Sequence, residues 1–325
     1  MAPLKRVLVT GASGFIGRWS VPALLKRGYE VHAVLSEDSR KGCVYAQLAG
    51  AELHHGNLLD PGAVERLLTA VRPTHLLHFA WIATPARYWT SAENFSWVAA
   101  SLFLVRAFHK NKGSRAVVAG SCAEYDWSNA DVCREGASPL AGSAGGAIAP
   151  YAACKLALQN LLASYGAQEK LSIAWGRIFS LFGPGEHPQR LVASVVRSLL
   201  LNEEARCSHG RQVRNFLHVA DVGAAFAALL DSPLQGPVNI GSPERVSIAA
   251  LVERIAQRLG RTELIRLGAR ASSENEPAIL VPDVRLLYDD VGWRPRFTLD
   301  EGLVDTISWW QDELARGSPS QDARA

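Results

Sequence analysis

Six strand-length apolar runs, interleaved with helix-length segments, constrain this chain more than any other feature. The runs are RVLVT (6–10), EVHAVL (30–35), AELHHG (51–56), HLLHFA (75–80), RAVVAG (115–120) and LSIAWGRI (171–178). Helical patterning lies near 15–27, 61–71, 90–111 and 150–168. Parallel strands need long crossover connections, and a helix is the usual crossover. The runs are almost wholly apolar rather than alternating, which is expected where helices cover both faces of a sheet. The expectation is an α/β fold built on a doubly wound parallel sheet.

The rhythm breaks after residue 180. LFGPGEHP is turn-rich, and it is followed by a helix-like run (191–201), VRNFLHVADV, GPVNIGSP, a helical LVERIAQRLG and a closing helix near 299–314. The reading is a sheet domain over 1–178 with a later return near 214–241, a smaller mixed α/β substrate lobe mainly over 179–315, and a frayed tail at 316–325. The segment 123–149, rich in Gly, Ala, Ser and Pro, is expected to be a long loop of the kind that often forms a lid.

Composition narrows the function classes. Hydrophobic residues make up 48% of the 325, enough for a sizeable core, so wholesale disorder is excluded. The net charge of +3 with scattered basic residues gives no nucleic-acid footprint. Five cysteines (Cys43, Cys122, Cys133, Cys154, Cys207) without a CxxC pair fit a reducing compartment and no structural zinc. His187 and His218 lack metal-ligand spacing, and His218 is expected to be a satisfied histidine at the lobe junction, so no metal is expected. No stretch approaches the ~20 apolar residues of a membrane span. A soluble, cytoplasmic protein with no membrane partner is expected.

TGASGFIG places Gly11, Gly14 and Gly17 between the first strand and the first helix. Glycines there let the backbone approach a pyrophosphate, and the helix N-terminus offers free N–H groups. The strand–turn–helix context identifies a Rossmann-type dinucleotide cradle. NAD-binding sheets usually end the second strand with an acid that holds the ribose 2′-hydroxyl. Ser36 stands at that place, with Arg18, Arg40 and Lys41 near enough in sequence to neutralise a 2′-phosphate. NADP is therefore preferred, while Glu37 and Asp38 keep NAD open.

Tyr151 and Lys155 in PYAACKLAL are one helical turn apart and share a face. With the glycine loop they resemble the extended short-chain dehydrogenase/reductase family, which includes nucleotide-sugar epimerases, dehydratases and reductases. The likeness runs from about residue 5 to 312. TGASGFIG matches the cofactor loop, with Ser13, Phe15 and Ile16 between its glycines. HGNLLD (55–60) matches the stretch that meets adenine, through Asn57 and Leu58. HFAW (78–81) matches the segment along the cofactor, through Phe79, Ala80 and Trp81. GSCAEYDW (120–127) matches the fifth-strand motif and selects Ser121. RIFSLFGPGE (177–186), RNFLHVADV (214–222) and DVGWRP (290–295) resemble later family signatures.

The resemblance implies Ser121, Tyr151 and Lys155 as the catalytic set, with Tyr151 and Lys155 also touching the cofactor. A carbonyl that accepts hydride needs a proton at its oxygen. Tyr151 is expected to supply it, its phenol pushed toward ionisation by the Lys155 ammonium and the nicotinamide ring. Ser121 is expected to hydrogen-bond the substrate oxygen.

The family's 4,6-dehydratases usually carry acids just after the catalytic Ser/Thr, and here Cys122 and Ala123 follow Ser121. Glu124 is displaced by one position, its side chain expected to point away from the site. That leaves ketone reduction, or epimerisation through a transient ketone with tightly held NAD. Residues 78–104 look like those of reductases that act on 4-keto-6-deoxy sugar nucleotides, so that reaction leads. Trp81, Tyr88 and Cys122 are expected to line the sugar pocket, and Arg214 to bind the diphosphate. Arg177 and Arg285 are weaker phosphate candidates, equally readable as structural ion-pair residues. Trp97 is read as core. A small ketone or aldehyde substrate is a further alternative, and the retained tyrosine argues against a non-catalytic dinucleotide sensor. The family also implies a homodimer through the helices near 90–111 and 150–168.

Overall fold

The computed structural model describes residues 5–36, 46–85, 87–128, 131–143, 148–272 and 276–317. Its centre is a parallel sheet of seven strands: β1 (Arg6–Thr10), β2 (Glu30–Leu35), β3 (Glu52–His55), β4 (His75–His78), β5 (Arg115–Ser121), β6 (Ser172–Ile178) and β7 (Gly236–Ile240). Their order is β7-β6-β5-β4-β1-β2-β3. All six strands expected from sequence are present. The seventh comes from the late return, where GPVNIGSP pairs with β6 from Gly236↔Ala174 to Ile240↔Ile178.

Alternate residues of each strand feed different cores. Val7 and Val9 of β1 pack under α1 (Gly17–Lys26) and α6 (Val219–Asp231), with Val21, Val222 and Phe226. Leu8 points the other way, toward α2 (Pro61–Val71), α3 (Glu93–Lys110) and α4 (Pro150–Glu169), with Leu68, Phe108 and Leu158. Each fully buried aliphatic of this kind contributes about 1.5–3 kcal/mol, which is why the runs are apolar on both faces. The approach of α6 to α1 is close enough that a Cβ on Gly223 would meet the Trp19 backbone at 2.5 Å.

The smaller lobe has its own core between α5 (Leu191–Leu200), α7 (Ile248–Leu259) and α8 (Leu299–Ala315), centred on Val196, Leu251, Ile255 and Leu303. Local chemistry sets the ends of these helices. The Ser247 hydroxyl accepts from Ala250 N at 3.1 Å, and Gly260 closes α7 in the left-handed region. Thr298 and Glu301 cap α8 reciprocally. A four-stranded sheet joins Val246–Ser247, Val213–Arg214, Ile279–Pro282 and Val132–Cys133. The last of these corrects the expectation of an uninterrupted loop over 123–149. Val132 and Cys133 pair with Val281 and Pro282, so the excursion is sewn into the smaller lobe. Glu37, Asp38, Arg40, Lys41 and Cys43, and the tail from 318, lie outside the described residues. No helix among the described residues is long and apolar enough to cross a membrane.

Candidate active site

At the carboxyl end of the sheet, the glycine turn after β1 meets the loop after β4. Gly11 has φ +66°, and a Cβ there would stand 2.7 Å from Ala80 N, so the turn lies directly against the Phe79–Ala80 backbone. A Cβ on Gly17 would overlap Gly11 O at 2.1 Å. Packing therefore requires two of the three glycines. Gly14 is different: it is exposed, and a Cβ would meet only Gly11 O, at 3.1 Å. An exposed glycine at the mouth of α1 is what close approach of a pyrophosphate asks for, so this cradle fits a dinucleotide. Ser13, Phe15 and Ile16 complete the turn and are partly exposed.

Along the neighbouring loops, Phe79 packs edge-on to Phe226 at 4.8 Å. Leu58 is buried, and Asn57 Oδ1 accepts from Leu59 N at 3.0 Å to form a tight turn. Ser36 follows the last residue of β2 and is exposed. Arg18 is not where the NADP reading wanted it. It is buried, and its Nη2 donates to Pro184 O at 3.0 Å and Gly185 O at 2.8 Å, tying α1 to the GPG turn of the other lobe. Gly185 has φ +78°, and any Cβ there would collide with that guanidinium.

Ser121 is the last residue of β5, and Tyr151 and Lys155 occupy the first two turns of α4, which Pro150 starts at its first position. The Tyr151 backbone N–H donates to Trp89 O at 3.2 Å. Tyr88 and Trp89 pack edge-on against the Tyr151 ring at 4.9 and 5.5 Å, and Trp127 packs on Trp89 at 5.7 Å. Arg190 covers the other side of Tyr88, 5.3 Å from its ring centre. The phenol keeps part of its surface open to the cleft, yet the protein around its hydroxyl removes water and pushes its pKa up. A hydrogen bond from Ser121 opposes that rise.

The expected depression by Lys155 is not what the chain itself produces. Lys155 is buried, its Nζ donates to Ala119 O at 2.8 Å, and it lies 3.8 Å from the centre of the Trp81 ring. Burial pushes its own pKa down, with Glu124 opposing. Burial thus favours the neutral phenol at Tyr151, and Lys155 is not among the groups that oppose it.

Behind Ser121 lies a pair that the sequence did not reveal. Glu124 is fully buried, and it turns inward beneath the strand. It accepts from Ser121 N at 2.7 Å, from Trp175 Nε1 at 2.9 and 3.0 Å, and from Arg177 Nε at 2.8 Å. Burial raises its pKa, while Arg177 and these N–H donors oppose the rise. The carboxylate clamps the backbone that carries Ser121, and Gly120 leaves room for it, since a Cβ there would stand 2.7 Å from Glu124 Oε1. Arg177 is therefore a structural ion-pair residue. Arg285 is likewise committed locally, to Asp283 at 2.7 Å. From the sequence, Arg177 was readable as an ion-pair residue and Glu124 was expected to point away from the site, but nothing local joined the two.

Cys122 follows Ser121 with its thiol pushed up to about 12 by burial, so it is a neutral wall, and Ala123 is buried beside it. Arg214 acts on Cys122 electrostatically from the smaller lobe, and its guanidinium donates to Val213 O at 2.8 Å and to Glu276 Oε1 at 3.0 Å. Trp81 Nε1 donates to Asn94 Oδ1 at 2.8 Å, and Trp97 stacks on Trp81 from within the core. His218 does lie at the junction of the lobes but is not well satisfied. Its Nδ1 has no hydrogen-bond partner, its Nε2 only approaches Asp305 at 3.2 Å, and burial holds its pKa down at about 4.

A parallel seven-stranded sheet with a glycine cradle, and a Ser–Tyr–Lys set at its carboxyl end, define an extended short-chain dehydrogenase/reductase. Residues 7–241 match the NAD dependent epimerase/dehydratase family, and the chain belongs to it. It is 27% identical to UDP-glucuronic acid decarboxylase 1 of Xenopus tropicalis, over 98% of this chain and 75% of that protein. It is also 27% identical to dTDP-D-glucose 4,6-dehydratase of Bos taurus, over 95% and 90% of the two chains. Among solved structures it resembles MoeE5 in complex with UDP-glucuronic acid and NAD, with TM-score 0.79 and 27% identity, over 95% and 99% of the two chains. The chain is thus an enzyme of a family whose members are nucleotide-sugar epimerases, dehydratases and decarboxylases.

Proposed function

We propose that this enzyme reduces the 4-keto group of a nucleotide-linked 4-keto-6-deoxyhexose, without elimination or decarboxylation. The observation that carries this reading is the neutral wall after Ser121. Cys122 and Ala123 stand where the dehydratases keep acids, and Glu124 is buried against Arg177. With no acid there to move a second proton, the site is suited to a hydride and one proton.

The cradle formed by Gly11, Gly14 and Gly17 would hold the pyrophosphate, Asn57 and Leu58 the adenine end, and Phe79 to Trp81 the middle of the cofactor. When bound, the nicotinamide supplies the hydride. Tyr151 gives its phenolic proton to the ketone oxygen as the carbonyl carbon is reduced, and Ser121 holds that oxygen in place. Lys155, held by Ala119 O and the Trp81 face, would lie along the nicotinamide end of the cofactor. Tyr88, Trp89 and Trp127 wall the sugar and exclude water. Arg214 binds the diphosphate by exchanging Glu276 for it.

NAD is the cofactor proposed. The NADP preference read from Ser36 loses Arg18 to the Pro184–Gly185 carbonyls, and the family is NAD-dependent by description. The homodimer implied by resemblance is proposed across α3 and α4, which leave Phe95 and Leu161 exposed. A particle of twice the 35.2 kDa chain mass in light scattering, reduced to one chain by Leu161→Asp, is the expected result.

The test is purified enzyme with NADH or NADPH and a nucleotide-linked 4-keto-6-deoxyhexose. Substrate-dependent loss of reduced cofactor supports the reading, and its absence across the common nucleotides refutes it. A second reading, 4-epimerisation, rests on the same lack of acids and on the family's description. Interconversion of sugar nucleotides at C4 without added cofactor would favour it.

A further inference from the structure

We propose that His32, His54 and Glu52 form a binding site for a divalent transition metal of the Zn²⁺ class, at the edge of the sheet. This site is independent of the reaction. No spacing in the sequence announces it, because the three residues meet only through the parallel register of β2 and β3. His32 is opposite Glu52, and His54 is opposite Val34 two residues on, so all three side chains emerge on one face.

The donors converge. His32 Nδ1 and His54 Nε2 are 2.8 Å apart, with their rings stacked at 5.1 Å and 27°. The two Glu52 oxygens each face one of these nitrogens, Oε2 at 3.6 Å from His32 and Oε1 at 3.6 Å from His54. Those last two distances are too long for hydrogen bonds. Ligand atoms around a tetrahedral zinc, with bonds of ~2.0–2.1 Å, stand roughly 3.3 Å from one another. A few tenths of an ångström, opening the nitrogens and closing the carboxylate, converts one arrangement into the other. Two imidazoles and a carboxylate suit Zn²⁺, Ni²⁺ or Cu²⁺ over Mg²⁺ or Ca²⁺.

A further observation points the same way. The far nitrogen of His32, Nε2, is 2.8 Å from Glu30 Oε1, and Glu30 is in turn held by Arg6 at 2.8 Å. A carboxylate behind a ligating imidazole fixes its tautomer, leaving the other nitrogen as a lone-pair donor. Here Nε2 keeps its proton and donates it to Glu30 Oε1, so Nδ1 offers its lone pair toward His54 and Glu52. Metal entry requires His54 to give up the proton on Nε2, to its own Nδ1 or to solvent. Arg6, the nearby cation, is occupied by Glu30 and by Val71 O at 2.8 Å. His32 is buried and Glu52 is mostly exposed, so the fourth position faces solvent. A metal held there would pin β3, the last strand of the sheet, to β2.

The test is zinc retention by tag-free, cofactor-loaded enzyme in equilibrium dialysis, with Co²⁺ absorption as a report of tetrahedral coordination. One Zn²⁺ per chain and a visible Co²⁺ spectrum are expected. Glu52→Gln changes a mostly exposed group and keeps the fold, and it should weaken zinc about tenfold or more. His54→Ala should abolish both signals, and Glu30→Gln should weaken zinc about 10–100-fold. No zinc retained at micromolar free metal overturns the proposal, and so does equal retention by the parent, Glu52→Gln and His54→Ala enzymes.

Discussion

Beneath Ser121, the Glu124–Arg177 pair is sealed from water, and every polar atom of the carboxylate is met by a strand or side-chain N–H. Across the cleft, on the smaller lobe, Arg214 leans on a partly exposed Glu276, Arg190 lies on the face of Tyr88, and Glu186 is buried with one oxygen unpartnered. The first arrangement is rigid and has no unmet hydrogen bond to offer a ligand. The second is less closed, because Glu276, the carboxylate that holds Arg214, is partly exposed and an incoming anion could take its place. The difference teaches where the proposed function would divide its labour: the sheet lobe would fix where the proton goes, and the smaller lobe which anion arrives.

Four changes would break or sharpen that contrast. Tyr151→Phe should lower the reductive kcat about 10²–10⁴-fold while cofactor affinity, read by fluorescence titration, stays within a few-fold. A rate near the parent's would remove Tyr151 from the chemistry. Glu124→Ala leaves the Arg177 guanidinium buried and unpaired. It should cost about 3–5 kcal/mol of stability in a denaturant melt, far more than any change to the more exposed Glu276. Arg214→Ala should raise KM for the sugar nucleotide by about tenfold or more, with kcat little changed, as expected for loss of about 1.5–3 kcal/mol of charge-assisted bonding. An unchanged KM would make Arg214 purely structural.

The smallest effect concerns pH. Burial pushes the Glu186 carboxyl from its ordinary 4.5 to about 8. A carboxyl whose folded pKa lies above its unfolded value favours the folded state most below the unfolded pKa, and that contribution is lost as pH rises through the folded one. The melting temperature should therefore sag between about pH 4.5 and 8, and Glu186→Gln should flatten that slope. An identical slope in the variant would show that Glu186 does not set it.

The parts legible in sequence were those written locally. Apolar runs showed β1 to β6 because each strand is buried on both faces, and the glycine spacing showed the cradle because turn and helix mouth are contiguous. Tyr151 and Lys155 were legible because one helical turn joins them. What the sequence hid depends on pairing across long separations. Val132–Cys133 becomes a strand only because Val281–Pro282 passes beside it. Arg18 looked like a 2′-phosphate ligand, but the carbonyls that hold it are more than 160 residues away. Lys155 was expected to act on Tyr151 by helical spacing alone, yet the buried Ala119 carbonyl and the Trp81 face claim its ammonium. The His32–Glu52–His54 cluster follows from a strand register that no local pattern encodes.

The central claim is that this site moves a hydride and one proton and performs no elimination. The most direct measurement supplies NADH deuterated at the transferable position together with a nucleotide-linked 4-keto-6-deoxyhexose, and reads the product by mass spectrometry and NMR. The expected result is one deuterium at sugar C4 with matching loss of NADH. An undeuterated sugar, or formation of the 4-keto-6-deoxy compound from the parent nucleotide hexose, would contradict it.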